Sequence, residues 1–154
     1  MNSDIKRNFK LDQFHQLVEL LINQYDIPTE TKRLALNLKV ACFYNNRSGI
    51  QPIEVQLERA NPNEPWEVRF IASFDYPTPE AENIEISLYF NFKHQWFYQP
   101  DIQRCELNRP EVQSLFVSWL KAFTHHLKAS RFDTQILTIV SRFKPISDTY
   151  HPTE

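Results

Sequence analysis

Residues 52–98 read PIEVQLERA NPNEPWEVRF IASFDYPTPE AENIEISLYF NFKHQWFY. Apolar and polar residues alternate along this stretch with period two, the pattern of half-buried strands. Ile53, Val55 and Leu57 share the inward parity, and Glu54, Gln56 and Glu58 the outward one. Asn61-Pro62-Asn63-Glu64-Pro65 is a turn. The next strand places Trp66, Val68, Phe70, Ala72 and Phe74 inward, with Glu67, Arg69, Ile71, Ser73 and Asp75 outward. A longer connection holds Pro77 and Pro79. Then Ile84, Ile86, Leu88, Phe90 and Phe92 fall inward, and Glu85, Ser87, Tyr89 and Asn91 outward. One strand running on to Tyr98 would exceed the usual length of about 5–6 residues. A turn near Lys93-His94 and a short fifth strand follow, with Trp96 and Tyr98 keeping the inward parity.

Helical spacing brackets this meander. Phe14, Leu17, Val18, Leu21, Ile22 and Tyr25 form one apolar stripe, with Asp12 near its start and Pro28 beyond its end. Leu34 to Tyr44 alternates strictly, which predicts a long strand with Cys42 inward and Phe43 outward. Downstream, Val112, Leu115, Phe116, Trp119, Leu120, Phe123 and Leu127 form a second stripe. Asn108 or Arg109 caps that helix, and Pro110 sits in its first turn, where the missing N–H costs nothing. Phe132 to Val140 is apolar on both parities, which predicts a central or doubly covered strand. The expected fold is α+β. An antiparallel meander of five to six strands carries an N-terminal helix and a second helix before the last strand, both on one face. Residues 11–142 make a single domain, between a flexible N-terminus (1–10) and a flexible tail (143–154).

Composition narrows the function classes. A chain of 154 residues with a single glycine, Gly49, has no P-loop, dinucleotide fingerprint or nucleophile elbow, because those turns need glycine. Cys42 and Cys105 make no disulfide framework, and Cys105 is placed in a loop. The first ten residues lack the apolar run of a signal peptide, and no stretch is apolar enough for a membrane span. A soluble, cytoplasmic protein is expected.

Recognisable chemistry is sparse. His15 and Glu19 stand four apart on one helix face, too few groups for a metal site. His125 and His126 are adjacent, so they point about 100° apart on a helix and cannot grip one ion. His94, with Trp96, Tyr98 and Cys105 near it, is the one place an unfamiliar enzyme site could form. No catalytic, metal or cofactor-binding residue is assigned. Net charge is −2, yet residues 50–90 hold eight acids against two bases. An acidic sheet repels phosphate, so no nucleic acid is expected.

The outward parity therefore carries the functional expectation. Glu54, Glu58, Glu67, Arg69, Ile71, Glu85 and Tyr89 would form an acidic surface with apolar anchors. It is either a solvated sheet face or an interface for a protein partner or self-association. A chaperone-like binder of an unfolded client segment is the alternative, and an enzyme near His94 the third reading.

Ile50 to Glu58, Trp66, Phe70 to Tyr76 and Leu88 to Phe92 together resemble a family of small uncharacterised bacterial proteins. This is a domain of unknown function from vibrios and related gammaproteobacteria, partly on genomic islands. Its members are similar to His-Pro-Val-Glu-Ile-x-Leu-Glu followed by aromatic strands. Gln51 stands at that histidine, Asn91 stands where an acid is usual, and the glycine after the aromatic strand is missing. The likeness runs over about residues 34–140. It implies no activity. It also implies a fold likeness to the mitochondrial acidic matrix protein, a ring-forming binder of several ligands, and so a binding role.

Overall fold

The computed structural model describes residues 3–145. In chain order it contains α1 (Ser3–Asn8), α2 (Leu11–Ile22), β1 (Thr31–Lys39), α3 (Ala41–Asn46), β2 (Ile53–Glu58), β3 (Glu67–Asp75) and β4 (Glu85–Asn91). There follow β5 (Trp96–Gln99), β6 (Gln103–Glu106), α4 (Pro110–Lys128) and β7 (Thr134–Arg142). All seven strands lie in one antiparallel sheet, ordered β6-β5-β4-β3-β2-β1-β7. The first six strands are a meander. The last returns to the opposite edge and pairs with the first.

Helices α2 and α4 cover one sheet face, as their stripes require. Phe14 of α2 meets Phe116, Trp119 and Phe123 of α4, with ring centroids 5.9–6.4 Å apart. Phe116 also touches Phe90 and Phe92 from the sheet, at 5.1 and 5.4 Å. Each such ring pair adds about 0.5–1.5 kcal/mol beyond its area burial. The cluster is why twelve phenylalanines suit so small a core.

The structure corrects the sequence reading in several places. Within the expected flexible N-terminus, α1 and Phe9 fold onto the core, with Ile5 and Phe9 buried. The first strand ends at Lys39, not Tyr44. The Asp133 carboxylate accepts from the Ala41 N–H at 3.0 and 3.1 Å and helps turn the chain into α3. That turn exposes Cys42 and buries Phe43, the reverse of the expected faces. The sheet has seven strands rather than five or six. Cys105 sits in β6, opposite Phe97, rather than in a loop. Among the described residues β7 is an edge strand, neither central nor doubly covered. Of the expected C-terminal tail, residues 146–154 lie outside the described residues.

Two β-bulges decide which residues face the helices. Gln56 pairs with Phe70 and Leu57 with Val68, so Arg69 is an extra residue in β3. Side chains after it change face. Ile71 joins the core, and Phe70 turns outward. A second shift sets Ser73 opposite Leu88 and Phe74 opposite Ile86, with Ser87 extra in β4. Ser87 then turns inward, its hydroxyl 2.9 Å from that of Ser73 and donating to Gln51 Oε1 at 2.7 Å. The turn expected near His94 is present, and it also inverts parity. Phe97 is buried opposite Phe90, while Trp96 and Tyr98 face outward.

Candidate functional site

The open face of the sheet carries an aromatic ladder at its β4–β6 end. Phe70, Tyr89 and Trp96 stand on three adjacent strands. Successive centroids are 5.0 and 4.8 Å apart, with interplanar angles of 26° and 23°. The Arg104 guanidinium lies over the last ring, 4.4 Å from its centroid. The rings therefore cover one another's faces and present their edges outward. Beside them Glu85, Ile86, Tyr89, Trp96, Tyr98 and Arg104 bound an open depression of about 510 Å³. Burial pushes the Tyr89 phenol up from its ordinary pKa, so it is a neutral hydroxyl at physiological pH.

The acids expected to dominate this face have partners. Glu58 is gripped by Arg33 from β1 at 3.0 Å, by Arg69 from β3, and by Lys93 at 3.2 Å. Burial opposes the charge on Glu58, but hydrogen bonds from Lys93 and Arg69 outweigh it and hold the carboxyl below its usual range. Glu67 pairs with Lys6 at 2.9 Å. Burial also works against its ionisation, and the Lys6 bond and charge prevail to lower its pKa. Glu54 accepts from Gln56 at 3.1 Å, and Glu85 is exposed at the rim of the depression. Of the seven residues singled out by sequence, Glu85 and Tyr89 line the depression. Glu58 and Arg69 form one ionic hub, Glu54 and Glu67 have partners elsewhere, and Ile71 is buried beneath the sheet. Phe70 and Trp96 were missed as outward residues because the bulge and the turn reverse their parity, and Arg104 because its strand was read as a loop.

His94 is exposed in the turn before β5, where its N–H donates to Asn91 Oδ1 at 2.8 Å. The depression at Trp96 and Tyr98 is not lined by it.

A second concavity, of about 400 Å³, lies between α2 and the start of β3. His15, Asp12 and Glu19 line it with Trp66 and Glu67. The Val68 N–H donates to His15 Nε2 at 3.0 Å. That bond occupies the Nε2 lone pair and puts the proton of the neutral ring on Nδ1. Burial lowers the His15 pKa in spite of the nearby Glu67 charge. Such a ring offers the cavity an N–H donor rather than a general base. Among the described residues, no group of three or more His, Cys, Asp or Glu could hold a metal ion. Nor is any described helix long and apolar enough to cross a membrane.

Residues 12–137 match the family described as protein of unknown function, DUF2787. The chain belongs to the DUF2787 family. No curated protein matches it. Two solved structures, both of hypothetical proteins from Vibrio cholerae, share the fold of this DUF2787 protein. One, from the VSP-II pathogenicity island, has a TM-score of 0.70 at 16% identity, over 82% of this chain and 91% of its own. The other, from pathogenicity island VPI-2, has a TM-score of 0.63 at 19% identity, over 85% and 92%. That second protein is described as sharing structural homology with the human P32 protein. The sequence resemblance implied this family and a likeness of this kind.

Proposed function

We propose that this DUF2787 protein is a protein-binding module that acts through the open face of its sheet. The observation that carries the reading is the aromatic ladder beside the depression at Ile86 and Tyr98. Apolar ring edges form the centre, with Glu85 and Arg104 as a rim of both signs. Aromatic anchors inside a polar rim are how protein interfaces concentrate their binding energy. A polypeptide segment with one apolar anchor flanked by charges suits this depression. The ladder's geometry disfavours bases and sugars, which stack on ring faces. Here both faces of Tyr89 and of Trp96 are taken by a neighbouring ring or by Arg104.

A photo-crosslinking residue at position 86, compared with one at Lys121 on α4, tests the proposal in the native cell. Position 86 is expected to trap a discrete protein that position 121 does not. The trapped protein, once purified, should bind the wild-type chain and lose about thirtyfold in affinity for Ile86→Glu, the loss of one hot-spot anchor. Identical adducts from the two positions, or equal affinity for the variant, would remove the ladder from the reading.

A further inference from the structure

The two edges of the sheet are built differently. β6 is blunted: four residues, with Arg104 and Glu106 among them. β7 is nine residues long, and Thr134 to Ser141 reads TQILTIVS, without a charge or a proline. Ile136 and Val140 are exposed on it, at 49% and 42%. Long, uncharged, β-branched edges are templates for another strand, and proteins ordinarily guard them with Lys, Pro or brevity. β6 has such guards; on β7 the one interruption is a bulge at Val140, between Leu34↔Ile139 and Arg33↔Ser141, which leaves Thr134 to Ile139 in regular register.

The hydrogen-bond phase of the sheet shows which groups of β7 are open. Lys32 C=O accepts from the Arg59 N–H, so even-numbered residues of β1 bond to β2 and odd-numbered ones bond to β7. The register Ala35↔Thr138 and Asn37↔Ile136 then turns the even residues of β7 towards β1. Leu137 and Ile139 direct their N–H and C=O away from β1, to the side where no described strand lies. Gln135 does so too, but its C=O accepts from the Tyr25 hydroxyl at 3.3 Å.

We propose that a second copy of this chain pairs with β7, antiparallel about a twofold axis at Thr138. The edge has no charge to complement, and an uncharged β-branched strand pairs with it without leaving a charge unpartnered. β7 is itself such a strand. Symmetry at Thr138 places Leu137 opposite Ile139 in hydrogen-bonded pairs, and Ile136 opposite Val140 on the outer side. No like charges meet, since Arg142 falls opposite Thr134 and is already paired with Glu30 at 2.8 Å. The dimer would be one continuous sheet of two seven-stranded halves. This seam lies at the far edge from the aromatic depression, so each reading can fail without the other.

The test uses the full-length chain in a sedimentation-equilibrium concentration series. Wild type is expected to dimerise. The double variants Ile136→Lys/Val140→Lys and Ile136→Glu/Val140→Glu, changed at exposed positions, should keep the wild-type circular dichroism. Each alone should dissociate at least about tenfold more readily, because like charges now face each other across the seam. Mixed in equal amounts, they should form a one-to-one heterodimer. A monomeric wild type, or Lys and Glu variants that dimerise as wild type does, would overturn the proposal. So would a full chain that dimerises only after removal of residues 146–154, which would assign the edge to that segment. If both variants misfold, hydrogen exchange on wild type decides. Protection of the Leu137 and Ile139 amides that rises with concentration supports the seam, and protection that does not rise overturns it.

Discussion

The Val68 N–H donates to His15 Nε2, tying the middle of α2 to the start of β3 across 53 residues of sequence. Protonation of the ring would turn that acceptor into a donor and break the bond. Burial already lowers the His15 pKa below its ordinary 6.5. The unfolded chain therefore takes up this proton at higher pH than the folded one. Stability from this site is complete above the unfolded value and is lost as pH falls from about 6.5 towards the folded pKa. His126 is shifted in the same direction, by burial and by the charges of His125 and Arg131. Urea unfolding at half-unit steps from pH 5 to 8 should show this slope. His15→Gln should flatten part of it and His126→Gln the remainder. An unchanged slope in both variants would refute the assignment.

Glu58 joins β1, β3 and the turn after β4 through Arg33, Arg69 and Lys93. Its side chain is 19% exposed, so water screens the hub only in part. Glu58→Ala leaves three cations facing one another and should cost about 1–3 kcal/mol, read from the urea midpoint. The folded pKa is depressed, so the contribution of Glu58 is present above pH 4.5 and fades as pH falls below it. Acid titration of the wild type against Glu58→Gln should separate this window from that of His15.

Phe9 is fully buried between Phe92 and Phe116, at centroid distances of 5.5 and 5.4 Å. Phe9→Ala should destabilise the domain by about 3–5 kcal/mol, and deletion of residues 1–10 by at least as much. Thermal melts that match wild type would contradict the place of α1 in the core.

Ser130 follows α4 at φ 55°, in the left-handed region. Ser130 N–H bonds to Leu127 C=O and Arg131 N–H to His126 C=O, the paired bonds of a Schellman cap. Glycine is the residue without strain at that position. Ser130→Gly should stabilise the protein by about 1 kcal/mol, seen as a rise in melting temperature.

The sequence carried α2, α4 and the face of β2 because their apolar residues keep one period throughout. It lost β3 beyond Arg69 and β4 before Leu88, where a bulge in each strand reverses the alternation. Phe70 and Ile71 could each serve as core, and a bulge at Arg69 made the choice. Alternation also continued through Val40, Cys42 and Tyr44, while the contact that turns the chain there comes from Asp133, 92 residues away. β6 has no apolar period to read; its place depends on pairing with β5. β7 looked central because both its parities are apolar, although one parity is exposed at the edge. The acidic surface inferred from residues 50–90 omitted Arg33, Lys6 and Lys93, which arrive from elsewhere in the chain and neutralise Glu58 and Glu67.

The last strand lies beside the first, and their register joins Lys39 to Thr134. A ribosome adding about 5–20 residues each second needs roughly 5–20 s to make the intervening chain. During that time β1 can meet β2, but its other side has no neighbour. The nascent protein spends those seconds with an uncovered strand, and the sheet closes only once β7 has been made. Slow codons before residue 134 would prolong that interval, so the fold makes this domain's yield sensitive to how fast its message is read.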